Sequence, residues 1–192
     1  MFIKEALSGA KETLDTFLSN SENINHIEQA IKLMVDSLNS EGRLLACGNG
    51  GSMCDSQHFA EELTGRYRKD RKPLAAHSMG EAGHMTCVAN DFGFDHVFER
   101  NVEAWGRSGD TLLAISTSGN SANVLLAAKK AKSLGINVVG LSGKGGGELK
   151  DIADVSILVE SDITDRIQEV HIKVIHVLIE GIERQLFPEL YA

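Results

Sequence analysis

Hydrophobic positions recur at helical spacing from the start of the chain: Phe2, Ala6, Ala10, Leu14 and Phe17, then Ile24, Ile27, Ile31, Met34, Val35 and Leu38. That spacing predicts two amphipathic helices. Between them Ser19-Asn20-Ser21-Glu22 has the S-x-x-E form of a capping box, which gives the second helix its own start. From residue 43 the period changes to a repeated order of short apolar run, glycine-rich turn and helical segment. The run from Arg43 to Cys47 precedes GNGGS, the run from Asp110 to Ile115 precedes STSGNS, and the run from Asn137 to Ser142 precedes GKGGGE. A fourth run spans 155–159, and 74–78 is a weaker candidate. Such alternation predicts βα units around a parallel sheet with helices on both faces, a three-layer α/β sandwich.

The last helix, predicted over about 164–186, carries Ile167, Val170, Ile172, Val174, Ile175, Val177, Leu178, Ile179 and Ile182, which point in nearly every direction. A helix apolar all round is buried on all sides, and in so short a chain this predicts contact with another subunit. Only Pro73 and Pro188 break the chain, and no low-complexity linker divides it. The expectation is one domain over 1–192 with a helical extension at about 1–42.

Composition narrows the classes. With 42% hydrophobic residues in 192, the chain can bury one full core. Its net charge of −8 argues against a broad nucleic-acid surface, so an anionic ligand requires local help. The first residues include acids and no unbroken apolar stretch, and no run approaches the roughly 18 apolar residues of a membrane span. A soluble, cytoplasmic protein without membrane or nucleic-acid partners is expected. Cys47, Cys54 and Cys87 are odd in number and lack a C-x-x-C pair, which disfavours both disulfides and a thiolate zinc site. Cys54 reads as a small buried filler.

In an open parallel sheet, ligands bind beyond the C-terminal strand ends. Ser116, Thr117, Ser118 and Ser121 bring four hydroxyls to such a turn, directly before a helix whose N-terminus favours negative charge. One helix cap needs one such residue. The excess points to a phosphate cradle. Gly48-Asn49-Gly50-Gly51-Ser52 lets backbone approach a ligand, although Met53 breaks the G-x-G-x-x-G spacing and no P-loop occurs. The later GKGGG reads as a turn only. His58 and Glu62 stand four apart on one helix face, a spacing that suits a divalent metal or a surface pair, and Gln168 and His176 stand eight apart on the last helix. A carboxylate facing an imidazole across a sugar phosphate is what an aldose-ketose isomerase needs to move protons through an enediol.

CGNGGS, HFAEELTGRYR, NDFGF, ISTSGNSANV and DRIQEVHIKVIH together resemble the bacterial phosphoheptose isomerases of the sugar isomerase (SIS) domain superfamily, over about residues 2 to 185. The resemblance implies a five-stranded parallel sheet flanked by helices and a homotetramer with active sites between subunits. It implies conversion of sedoheptulose 7-phosphate to D-glycero-D-manno-heptose 7-phosphate, toward the heptose of lipopolysaccharide core. Glu62 would be the base and His176 its acid/base partner, with one zinc per subunit held by His58, Glu62, Gln168 and His176. Substrate would meet Asn49, Gly50, Gly51, Ser52, Glu62, Asn90, Asp91, Ser116, Thr117, Ser118, Ser121 and Gln168. Arg66 and Asp165 also match family positions near the site. Some SIS proteins of this size instead bind a replication initiator and tend to lack the glutamate and last-helix histidine that are present here. A sugar-phosphate-sensing regulator would add a DNA-binding helical domain, and the 42 residues before the first strand carry no basic stripe.

Overall fold

The computed structural model describes residues 2–192. Helices α1 (Phe2–Ser19) and α2 (Ser21–Asn39) precede a βα series: β1 (Leu44–Gly48), α3 (Gly51–Thr64), β2 (Ala76–Ser78), α4 (Ala82–Phe92), α5 (Val97–Trp105), β3 (Thr111–Ser116), α6 (Ala122–Ser133), β4 (Asn137–Gly143), α7 (Leu149–Ile152), β5 (Val155–Val159) and α8 (Thr164–Leu186). All strand pairings are parallel, in the order β2-β1-β3-β4-β5. The predicted α/β class, the layers and the five strands therefore stand.

Strand alternation divides the core in two. Leu44, Ala46, Leu113 and Ile115 face α1, α2, α3 and α8, where they join Met34, Phe59, Leu63 and Ile175. Leu45, Cys47, Leu112 and Ala114 face the opposite layer, with Phe98, Val102, Val124 and Ala127. Because β1 and β3 are buried on both faces, they read as continuous apolar runs.

Three expectations change. The second helix is capped by Asn20, whose side chain accepts from the Glu22 amide at 3.0 Å. Ser19 remains in α1 and donates to the Thr16 carbonyl, so the predicted box does not form. Helix α8 is amphipathic. Ile167, Val170, Val174, Ile175, Leu178, Ile179 and Ile182 are buried, whereas Glu169, Lys173 and Val177 form an exposed stripe. It packs on α1, α2 and α3, and Gly181 lets Ile31 of α2 approach closely. The apolar excess of its sequence is thus used largely within the chain. Helices α4 and α5 have no counterpart in the sequence reading: the 82–92 segment buries only Val88 and shows no apolar period, and α5, with Val97, Phe98 and Val102 buried, is only nine residues long. Among the described residues, no helix is long and apolar enough to cross a membrane.

His171 lies fully buried in α8 and donates from Nε2 to the Ser142 carbonyl at the end of β4, 3.1 Å away. Burial pushes its pKa from 6.5 down to about 4, opposed by that hydrogen bond. The unfolded chain therefore takes up a proton below pH 6.5 that the folded chain refuses. Stability is full above that pH and falls toward pH 4, by about 3 kcal/mol from this group. Urea unfolding over pH 7 to 4 should show a steeper loss for the unsubstituted chain than for His171→Gln. Equal slopes would exclude His171 as the source.

Candidate active site

Strand order reverses between β1 and β3, and the loops that follow these two strands lie side by side. After β1 the chain turns through Asn49 and Gly50, whose φ of 55° needs no side chain, and enters α3. After β3 it turns through Thr117 to Asn120 and enters α6. Asn49 and Asn123 join the two turns by a reciprocal amide pair, each Nδ2 donating to the other's Oδ1 at 2.8 Å. Asn123 is buried, and its oxygen also accepts from the Val124 amide. The sequence reading missed Asn123; its signal was an amide side chain at a helix start already supplied with hydroxyls.

The hydroxyl-rich turn does not spend itself on capping. Ser121 stands at the N-cap of α6 without a side-chain cap bond. Its Oγ lies 3.0 Å from Ser116 Oγ, which also lies 3.4 Å from Ser118 Oγ. Ser118 accepts from the Asn120 amide. Hydroxyls and the first amides of α6 are thus gathered at the positive end of a twelve-residue helix, an arrangement suited to a dianion.

The GKGGG turn has a task the sequence did not reveal. Gly119, at φ 65°, lies directly against Gly146 and Gly147, and a Cβ there would overlap the Gly146 carbonyl. Gly119 also accepts from the Leu149 amide, and Asn120 Oδ1 accepts from the Glu148 amide. Two backbones in contact hold the hydroxyl turn in shape.

The ligand triad lies farther along α3. His58 Nε2 is 3.5 Å from Glu62 Oε1 and 3.0 Å from His176 Nε2 on α8. Potential ligand atoms of these three residues lie within 4.8 Å of one another. Two imidazoles, which are borderline donors, and one carboxylate, a hard one, together suit zinc or a similar divalent ion. Tyr67 stacks on the His176 ring with centroids 5.9 Å apart. Partial burial and the nearby His58, Lys173 and Arg68 lower the His176 pKa against the pull of Glu62, which favours the neutral imidazole that can ligate or accept a proton. Asp55, one turn before His58, is raised to about 6 by burial, with His58 opposing.

The other predicted residues are placed unevenly. Gln168 is half-buried, and its amide fills the space over Gly51 at the start of α3. It stands eight residues, about 12 Å of helix rise, before His176. Ser52 is buried against Gly48, and its amide closes the turn on the Asn49 carbonyl. Asn90 and Asp91, at the end of α4, are exposed and hydrogen-bonded to each other. Arg66 and Asp165 are exposed, the latter 3.5 Å from Arg166. Cys54 is exposed on α3 and so is not the expected buried filler; that place belongs to Cys47, whose thiol burial raises to about 12.

The model of the SIS domain family matches residues 8–143. The phosphoheptose isomerase of Aeromonas hydrophila is 52% identical over 185 residues, covering 96% of both chains, and that of Vibrio parahaemolyticus is 51% identical over 96% of this chain and 97% of its own. The solved phosphoheptose isomerase of Neisseria gonorrhoeae superimposes with a TM-score of 0.89 at 39% identity, covering 94% of this chain and 96% of the other. That of Francisella tularensis gives 0.87 at 34% identity, covering 96% and 99%. Sheet order, hydroxyl turn and triad thus define a SIS-domain sugar-phosphate isomerase. Within that class the chain belongs to the phosphoheptose isomerase family.

Gly119→Ala should cost about 2–4 kcal/mol, since a left-handed backbone and a backbone collision act together. Urea unfolding checks this. A loss below about 1 kcal/mol would mean that the two turns separate freely.

Proposed function

We propose that the protein isomerises sedoheptulose 7-phosphate to D-glycero-D-manno-heptose 7-phosphate, toward the heptose of lipopolysaccharide core. The carrying observation is the meeting of Glu62 and His176, from two helices, in a chain that also gathers hydroxyls suited to phosphate at the N-terminus of α6. Relatives half identical over nearly the whole chain carry the corresponding name.

In this reading the phosphate rests on Ser116, Thr117, Ser118 and Ser121, and the sugar runs past Asn49, Gly50, Gly51 and Ser52 toward Gln168. Binding at the unreactive end fixes the carbonyl end, which itself lowers the barrier. Glu62 removes the C1 proton of the ketose, and the C–H electrons form the C1=C2 bond as the carbonyl electrons move to O2. The neutral His176 imidazole takes the O1 proton and delivers one to O2. Glu62 then returns its proton to C2 as the C1 carbonyl forms, so no proton or electron is gained overall. A zinc ion held by His58, Glu62 and His176 would supply carbonyl polarisation when bound, and Gln168, whose amide lies over Gly51, would have to turn toward the triad to serve as a further ligand.

The chain is read as one SIS domain with residues 1–42 as a helical extension, assembled as a cytoplasmic homotetramer. Support for association is the apolar face of α1, where Phe2, Ile3 and Leu7 stand largely exposed. Asn90, Asp91, Arg66 and Asp165 are exposed and so are open to a substrate or to a neighbouring subunit.

Glu62→Gln should lower turnover of sedoheptulose 7-phosphate, followed by NMR, about a thousandfold with the fold intact. Near-normal turnover would remove Glu62 as base. Purified protein should carry about one zinc per chain, and chelation should slow it. Metal-free protein indifferent to chelators would remove the zinc while leaving the acid/base roles.

A further inference from the structure

Catalysis as read above depends on a fixed separation between Glu62 and His176, which stand on different helices. Three contacts tie the segment after α3 to α8 in register. Tyr67 stacks on His176, Arg68 Nη1 lies 2.8 Å from Glu180 Oε2, and Arg71 Nε donates to Glu183 Oε1 at 2.8 Å. Positions 176, 180 and 183 are spaced four and three apart, hence on one face of α8.

The last pair differs from the others in being buried, with side chains 1% and 0% exposed. Its hydrogen bonds are also the most complete. Arg71 Nη2 donates to the backbone carbonyl of Glu62 at 2.7 Å, and Nη1 faces the carbonyls of Leu63, Gly65 and Lys72 at 2.8, 3.0 and 3.3 Å. The second oxygen of Glu183 accepts from the Tyr191 hydroxyl at 2.6 Å. A buried ion pair is a poor source of net stability, because desolvation offsets most of its attraction. What this one does that an apolar pair could not is donate to the Glu62 and Leu63 carbonyls at the C-terminus of α3, where a positive charge also suits the helix dipole.

We infer that Arg71 and Glu183, completed by Tyr191, are positioning residues that fix the last turn of α3, and with it Glu62, to α8 two turns beyond His176. The inference rests on the isomerase reading for its kinetic consequence and on the triad alone for its metal consequence. The guanidinium acts through the peptide of Glu62 and touches no substrate. A lysine at 71 keeps the charge but cannot span carbonyls on two sides of the turn.

The test uses the full chain with Arg71→Lys, the charge-free pair Arg71→Met with Glu183→Met, and Tyr191→Phe. Thermal unfolding, zinc affinity by competition with a chelator, kcat and KM are measured on each. The charge-free pair should fold, lose about 10–100-fold in kcat with KM within about threefold, and bind zinc about tenfold more weakly. Arg71→Lys should fall in the same direction. Tyr191→Phe should lose about threefold or more in kcat while Tm moves by no more than about 4 °C. A folded charge-free pair with unchanged kcat and zinc affinity would overturn the inference, as would losses that merely track the unfolded fraction. If that pair does not fold, Tyr191→Phe decides, and unchanged kcat and zinc affinity there would overturn it too. If the unsubstituted chain fails to isomerise the sugar phosphate, the functional reading fails, while zinc competition still reports whether the helices are held.

Discussion

The reversal of strand order between β1 and β3 is the constraint from which the site follows. From β1 the chain proceeds to β2 on one side, and from β3 to β4 on the other. Helices α3 and α6 therefore depart to opposite faces of the sheet, α3 to the layer shared with α1, α2 and α8, and α6 to the layer with α4, α5 and α7. Their N-termini open a crevice that no connection crosses. Phosphate-type chemistry gathers at α6 because hydroxyls and unpaired amides are there, and glycines at the start of α3 keep the facing wall low.

A second demand comes from α3 and α8. Both are core helices, with Phe59, Leu63, Ile175 and Leu178 fully buried, yet each must present polar groups to the same small volume. The chain meets this by grading polarity along the shared seam. Gln168 covers Gly51 near the crevice, His58 meets His176 farther along, and the fully charged Arg71 and Glu183 close the far end. Hydrophobic packing supplies the adhesion, while the polar contacts fix register along it, something apolar side chains do poorly because their attraction has little direction.

Much of this was legible before any coordinates. Apolar runs ending in glycine or serine turns gave the strands and the crevice, since sheet burial and loop chemistry are both written locally. His58 with Glu62 was readable from helical spacing, and the distant His176 gained meaning only with the family resemblance. What stayed hidden depends on long-range contact. The Asn49–Asn123 pair joins residues 74 apart, Arg71 reaches Glu183 across 112, and the GKGGG turn acts only by touching Gly119. Asn20 displaced Ser19 as cap because two adjacent residues could both serve and the sequence does not rank them. The apolar count of α8 did not reveal its polar stripe, because a helix packed on α1, α2 and α3 buries a wide apolar face and still leaves Glu169, Lys173 and Val177 exposed.

The amide pair that joins the two turns has one more consequence. Farther along α3 and α8 stand imidazoles and carboxylates, among them Asp55, raised by burial to about 6, and His176, lowered by burial and nearby charge. Asn49 and Asn123 do not titrate, and a neutral pair is nearly blind to ionic strength. The width of the crevice is therefore set by a fastener that is indifferent to the protons moved inside it. The chemistry can change its charge state at every turnover while the distance between the two walls stays constant.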